Sequence, residues 1–579
     1  MAYQHTTEKN AQIIISLLKA HGIRYVIASP GTTNTALIGS IQRDSFFTIF
    51  SSVDERSAAY LACGLAAEAG EAVVISCTGA TASRNYLSGM TEAYYRKLPI
   101  LAITSTQAVS KIGHHIAQVI DRSSIQNDVA RHSVTLPIVK DDDDIWDCEI
   151  KVNRAILELK RHGGGPVHIN LPTTYSKSYD VSAIPEYRVI NRITSEDVHP
   201  VLSGRVAVLI GAHKTWTQAE TAILEQFAVA NHSPIFCDHT SGYRGQNRLL
   251  FALAAAQEMF ELSSLRPDVL IHIGEITGDY ASLTMAGKQV WRVSEDGEIR
   301  DTFRKLRYVF EMREASFFRH YADQKTTDTS DYVGLCNDFL AQVRSKIPEL
   351  PLSNIWLASR MAHRLPEGAA IHFGILNSLR AWNFFEIPAT VSSWCNVGGF
   401  GIDGCVSSLI GASLANPARL YFGIVGDLAF FYDMNVLGNR HVGNNLRILL
   451  INNGTGIEFK NYNHHAAIFG QDVDMFVAAS GHFGKQSPAL VKHYTEDLGF
   501  EYLSASSKEE CEAQFMRFFA PGVTDRPMVF EVFTNPADES AALQSMQRIE
   551  ENKKGQAKQL MKKIVGQKGI DVIKKALRS

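Results

Sequence analysis

The reading of the fold turns on Leu420-Tyr421-Phe422-Gly423-Ile424-Val425-Gly426-Asp427-Leu428 and, further on, Leu446-Arg447-Ile448-Leu449-Leu450-Ile451-Asn452-Asn453-Gly454-Thr455. Two short, mostly apolar runs each stop at small and polar residues. Runs of this kind are strands buried on both faces, as a parallel sheet requires. Their ends then fall on the carboxyl edge of one sheet, where open α/β sheets bind ligands. An Asp carboxylate, an Asn amide oxygen and a backbone carbonyl form a hard-oxygen set suited to Mg2+, which phosphate oxygens and water would complete. Gly-Asp and Asn-Gly also favour ordinary turns, so a site and a pair of turns both stay open at this point.

The same alternation of short β-branched runs and longer helical patterns extends in both directions. An amino-terminal block has strands expected at 25–29, 73–77, 100–104 and 167–171, with a helix over 55–69. A middle block has them at 206–210, 269–273 and 290–293. The block quoted above adds 370–374 and 528–533. The expected fold class is α/β, with three doubly wound parallel-sheet domains. A chain of 579 residues needs several, because single cores stop growing near ~250–300 residues.

Composition narrows the function classes. The chain is 45% hydrophobic and 20% charged, with a mean hydropathy of −0.07, which excludes a polytopic membrane protein and a disordered chain. A net charge of −3 argues against a dedicated nucleic-acid binder. Eight scattered cysteines without a CxxC pair read as reduced core thiols, and MAYQHTTEKN lacks the order of a signal peptide, so a cytoplasmic protein is expected. The run Asp141–Asp144 reads as negative charge at a helix start. Residues 551–579 carry nine Lys and Arg against Glu551 and Asp571, with Leu560, Met561, Ile564 and Val565 on one helical face. This tail suits a clip onto an acidic subunit surface, a peripheral contact with anionic lipid, or a solvated helix.

Far upstream, Asp54-Glu55-Arg56-Ser57-Ala58-Ala59-Tyr60-Leu61-Ala62-Cys63-Gly64 opens a helix of small apolar residues. A carboxyl packed there is hard to solvate and could exchange a proton with a buried ligand nitrogen. A helix-start Glu favoured by the dipole is the plainer alternative.

Together these elements resemble the thiamine diphosphate-dependent 2-oxo acid enzymes over roughly residues 10–545. The resemblance implies a pyrimidine-binding domain at 1–185, a central domain at 200–345, a diphosphate-binding domain at 350–545 and a basic tail at 546–579. It implies that Asp427, Asn453 and the Thr455 carbonyl hold the Mg2+ that anchors the diphosphate, with Gly426, Leu428 and Ile457 beside the cofactor. Leu428 replaces the glycine of the family's GDG motif. Glu55 would bond the aminopyrimidine ring, and Ile402 would prop the cofactor in its bent shape. Asn396-Val397-Gly398-Gly399-Phe400-Gly401-Ile402-Asp403-Gly404 and Gly426-Asp427-Leu428-Ala429-Phe430-Phe431-Tyr432-Asp433 are similar to the menaquinone-pathway SEPHCHC synthase subgroup, in which Leu at the third position is normal.

The subgroup's substrate grip is not kept. Its SPGSRS, TADRP and NRG become Ser29-Pro30-Gly31-Thr32-Thr33-Asn34, Thr104-Ser105-Thr106-Gln107-Ala108 and Asn396-Val397-Gly398. Three arginines that would hold carboxylates are gone, at about 1.5–3 kcal/mol for each charge-assisted bond. SEPHCHC synthase activity itself is therefore not expected. His114 and His115 resemble the histidine pair of pyruvate and indolepyruvate decarboxylases. Glu458 stands one residue nearer the Asn pair than their catalytic Glu, and Gln118 matches a pocket glutamine. These groups could relay protons. Arg84, Arg122 and Arg380 are candidate grips for a substrate carboxylate or phosphate. The central block shows no complete GxGxxG and is expected to hold no nucleotide.

The expected function is ThDP/Mg2+-dependent decarboxylation of a small 2-oxo acid and transfer of its acyl-anion equivalent to an acceptor, by an obligate homodimer or homotetramer. A simple 2-oxo acid decarboxylase and a non-catalytic scaffold are the alternatives.

Overall fold

The structure is a computed structural model that describes residues 4–122, 124–324, 330–480 and 487–561. Contacts divide the chain into two compact units: Met1–Thr194 with Gly297–Val309, and Ser195–Asp296 with Phe310–Ser579.

Unit one is built on β1 (Tyr25–Ala28), β2 (Thr48–Ser51), β3 (Val73–Thr78), β4 (Ile100–Gln107), β5 (His132–Thr135) and β6 (Val167–Thr173), in the order β2-β1-β3-β4-β6-β5. All pairings are parallel. Successive residues of one strand enter opposite layers, because Cβ atoms alternate across a sheet. Val74, Leu101 and Ile103 join the helices Lys9–Ala20 and Asp142–Glu158 in one core. Val73, Ile75, Ile100 and Ala102 join Glu55–Ala69 and Leu87–Arg96 in the other. With both faces covered, the strands can be apolar throughout, which is why they were legible. Asp141 caps its helix by accepting the Asp143 and Asp144 amides at 3.0 Å, as the acidic run implied. β7 (Asn191–Ile193) follows in the same unit.

Unit two carries two sheets. The first has β8 (Val206–Ile210), β9 (Ile235–Cys237), β10 (Arg248–Leu250), β11 (Val269–Ile273) and β12 (Gln289–Ser294), in the order β10-β9-β8-β11-β12. β13 (Leu306–Glu311) runs across the boundary between the units in sequence. The second sheet has β14 (Ala370–Phe373), β15 (Ser392–Cys395), β16 (Tyr421–Gly426), β17 (Leu446–Asn452), β18 (Glu501–Ala505) and β19 (Met528–Phe533), in the order β15-β14-β16-β17-β19-β18. That order repeats the order of the sheet in unit one, strand for strand. In each, the winding direction reverses beside the first strand: between β1 and β3, and between β14 and β16. Such reversals open a crevice at the carboxyl ends of the two strands.

No helix among the described residues is long and apolar enough to cross a membrane. The eight cysteines are free, seven of them buried. The start of the basic tail is tied to unit two. Glu550 pairs with Lys346 at 2.5 Å, and Asn552 donates its amide to the Met259 carbonyl at 2.9 Å. Leu560 and Met561 are exposed; Ile564 and Val565 lie outside the described residues.

Candidate active site

In unit two the crevice between β14 and β16 gathers residues that are far apart in sequence. Gly426 and Ile451 are paired neighbours on β16 and β17, so the two motifs end side by side. Asp427, 2% exposed, accepts the Gly454 amide at 2.6 Å and the Leu428 amide at 2.8 Å. This brings its carboxylate within one residue of both Asn453 and Thr455. Gly454 has a φ of 75°, which lets the chain turn back at the strand end. Asn452 is held by Glu531 at 2.7 Å, leaving Asn453, half-buried, as the amide on the crevice side of the pair. Nothing lies within 4 Å of a Cβ built on Gly426, so the space over this edge is open. Among the described residues no trio of His, Cys, Asp or Glu could hold a metal. A cation here would take carboxylate, amide and carbonyl oxygens, the chemistry that suits Mg2+.

A second contact locks the neighbouring motif. Ser407, in the first turn of the helix Cys405–Ser413, donates its amide to Asp433 at 2.6 Å and its hydroxyl at 2.5 Å. Asn396 bridges the Gly404 carbonyl and Ser408, closing the loop that holds half-buried Ile402. Two helix starts, at Cys405 and Asp427, are thus brought to the same edge, and both favour anionic groups.

Beside this edge is a cavity of about 410 Å3 lined by Asn354, Asn377, Arg380, Ile457, Glu458 and Glu539, among others. Arg380 and Glu458 meet at 2.7 Å, and Asn377 donates to the other Glu458 oxygen at 3.0 Å. Arg380 also lies over the Tyr280 ring at 5.0 Å, and that ring stacks on Phe400. Glu458 is therefore held as an acceptor on both oxygens. Glu539 accepts the Asn354 amide and the Thr534 hydroxyl; burial pushes its carboxyl up to about 7. Burial likewise raises Asp279, on the same cavity wall, to about 6. Sequence reasoning missed Asn377, Asp279 and Glu539. Asn535-Pro536 does announce the helix Pro536–Gln547, but nothing sets Glu539 apart from Asp538. Asn377 could have been found, because it follows a strand at the reversal.

In unit one Glu55 opens its helix after the cap Asp54, which accepts the Arg56 amide at 2.9 Å. Glu55 itself is half-buried, and its charge reaches Cys77 and Tyr86. His114, His115 and Gln118 are exposed in the described chain, the last two with φ of 55° and 64°. Arg84 is exposed and donates to the Asp121 carbonyl at 3.1 Å. Arg122 is buried and bonds Asn170. Of the three positions of the lost arginines, Val397 is buried, Gln107 accepts the Lys111 ammonium at 2.7 Å, and Thr33 is turned into the chain's own polar groups. Thr33 donates to the Ser105 carbonyl at 2.8 Å, while Asn34 bonds the Ser29 carbonyl and Ser76.

Residues 8–125 match the model of the thiamine pyrophosphate enzyme, N-terminal TPP binding domain. The 2-succinyl-5-enolpyruvyl-6-hydroxy-3-cyclohexene-1-carboxylate synthase of Bacteroides fragilis is 29% identical over 564 residues, covering 92% of this chain and 97% of that protein. The protein of the same name from Flavobacterium johnsoniae is 27% identical, with 90% and 96% covered. That from Desulfotalea psychrophila is 27% identical, with 89% and 96% covered.

Proposed function

We propose that this chain, one of the thiamine diphosphate-dependent enzymes, decarboxylates a 2-oxo acid and transfers the acyl-anion equivalent to an acceptor, forming a C–C bond. The observation that supports the reading is the Asp427–Gly454 contact, which holds a buried carboxylate against the turn that carries Asn453 and Thr455. These three would hold Mg2+ and, through it, the diphosphate; the helix starts at Cys405 and Asp427 would receive phosphate oxygens. The bound cofactor supplies an electron sink that lets a 2-oxo acid lose CO2. Glu55 would hold the proton exchanged with the aminopyrimidine ring, and Ile402, Gly426, Leu428 and Ile457 would line the cofactor. Glu458, fixed by Arg380 and Asn377, would orient the substrate and accept its protons, with Gln118, His114 and His115 as further groups of the pocket.

Supporting features extend the proposal. The pyrimidine (1–185), central (200–345), diphosphate (350–545) and tail (546–579) division rests on the repeated strand order. An obligate homodimer, or a homotetramer built from it, is favoured by exposed Val53, Tyr60, Leu61 and Tyr95 on and beside the Glu55 helix and its neighbour. Eight free cysteines suit a cytoplasmic enzyme. The substrate pair of the subgroup is not adopted here, because Thr33, Gln107 and Val397 stand where its three arginines would be.

The test is a thermal-shift titration with thiamine diphosphate and Mg2+, followed by a screen of 2-oxo acids for CO2 release with and without an added aldehyde. A ligated hydroxyketone is the expected product. Free aldehyde alone would favour the simple decarboxylase, the second reading, which Glu458 on the cavity wall keeps open. No cofactor-dependent shift would point to a non-catalytic relative.

A further inference from the structure

A second large cavity of unit two takes no part in the reaction outlined above. It is a groove of about 1240 Å3 between the helix Gln218–Ala230 and β15, and it shares no lining residue with the cavity beside the cofactor edge. The helix gives the groove its character through its period. Leu224, Phe227 and Ala228 are buried on one side, while Gln218, Ala222, Gln226 and Val229 follow at steps of three or four along the side that lines the groove. Two indoles join this wall. Trp216 has its Nε1 tied to the Ser241 carbonyl at 2.8 Å, and its ring stacks on His213 at 4.1 Å. Both His213 nitrogens meet acceptors at 2.9 Å, the Lys214 carbonyl and Glu314. The imidazole therefore carries both protons and lies as a cation on the indole, which fixes it. Trp394, on β15, is 37% exposed.

The Lys, Glu and Arg of the groove are already engaged. Lys214 pairs with Glu220 at 3.4 Å. Glu225 accepts the Tyr243 hydroxyl and the Asn247 carboxamide. Arg244 donates to the Val391 carbonyl at 2.9 Å and to the Ser393 hydroxyl at 3.0 Å. The carboxamides of Gln218, Gln226 and Gln246, by contrast, bond no described residue. The same walls disfavour two classes of ligand. An anion finds no open helix start, because the Thr217 amide and hydroxyl both donate to Glu220, closing a capping box that places a carboxylate there. An added peptide strand finds β15 covered, with Arg244 on the Val391 carbonyl just before it and Ser393 bonded to the His239 carbonyl.

We propose that this groove binds a neutral carbohydrate chain. A sugar ring offers an apolar C–H face rimmed by hydroxyls. The flat indoles of Trp216 and Trp394 suit such a face, and a carboxamide both donates to and accepts from neighbouring hydroxyls. The groove, at about 1240 Å3, exceeds the ~300–1,000 Å3 of ordinary small-molecule sites, which suits several rings in a row. The inference does not depend on the thiamine diphosphate reading, and it gives the protein a second ligand.

The experiment is titration calorimetry of the full-length protein with maltopentaose, cellopentaose, mannopentaose and chitopentaose, all neutral, and with the anionic pentagalacturonate. At least one neutral chain should show saturable binding, and tighter binding than pentagalacturonate. W394A should weaken it about tenfold, as truncating an aromatic anchor does. The double variant Q218A/Q226A, which alters only exposed side chains of the helix, should weaken it about threefold or more. No binding of any neutral chain, tighter binding of pentagalacturonate, or affinity unchanged in W394A would overturn the proposal. If W394A does not fold, the double variant decides, and unchanged affinity there would overturn it equally. The cofactor is absent from this titration, so a failure of the thiamine diphosphate reading shows separately, in the thermal-shift experiment.

Discussion

Asp427 accepts the amide of Gly454 at 2.6 Å, which joins the ends of two adjacent strands and brings a buried carboxylate to the turn that carries Asn453. Removing that carboxylate should damage cofactor binding more than folding. Asp427→Ala is expected to weaken thiamine diphosphate binding at least tenfold, about 1.4 kcal/mol, and only when Mg2+ is present. Titration with and without the metal checks this, and equal losses in both arms would contradict it.

Glu55→Gln should keep the cofactor and lose turnover. The amide fills the same volume at the helix start, where Asp54 remains the cap, but it cannot exchange a proton at a ring nitrogen. The readout is a thermal shift like that of the wild-type protein together with CO2 release lowered by 10² or more.

Arg380→Gln should release one of the two donors that fix Glu458, leaving Asn377 at 3.0 Å. A tenfold to hundredfold fall in kcat/KM is expected, about 1.4–2.7 kcal/mol, with cofactor affinity preserved. Asn377→Ala should act in the same direction, and the double variant should fall short of the product of the two, because both act through one carboxylate.

Glu539 predicts a pH effect. Burial puts its native carboxyl near about 7, against 4.5 for an unfolded glutamate. Between those values the native state binds more protons, so stability falls as pH rises across that window, by about 3 kcal/mol in full. Glu539→Gln should lose most of that fall. Melting temperatures at pH 5 and pH 7.5 test it, and an equal drop in variant and wild-type protein would show that Glu539 does not hold its proton in the native state.

Truncation before Glu550 should lower the melting temperature without changing kcat. It deletes the Lys346 ion pair, the amide bond to Gln257 and the Asn552 contacts with Met259 and Glu261. A change in turnover at unchanged stability would instead assign the tail to the chemistry.

Much of this was legible because buried strands announce themselves. Val206–Ile210, Val269–Ile273 and Met528–Phe533 agree with the expectation residue for residue, as does the helix Glu55–Ala69. The strands that were missed, β2, β5, β7, β9, β10, β13, β15 and β18, are mostly short or half-exposed, and Thr48–Ser51 and His132–Thr135 show why: neither carries an apolar run. The motif residues Asp427 and Asn453 could be read from strand ends. The Arg380–Glu458 pair and the Asn354–Glu539 contact could not, since both depend on how segments 78 and 185 residues apart are packed.

The repeated strand order gives a single polypeptide two crevices of one design, with Glu55 beside the first and the oxygen donors of Asp427 and Asn453 at the second. Two inactive variants, each damaged in a different crevice, are then a diagnostic mixture. If working pairs of crevices are drawn from separate copies, co-expressed Glu55→Gln and Asp427→Ala chains should rescue one another; if each copy is self-sufficient, the mixture stays dead.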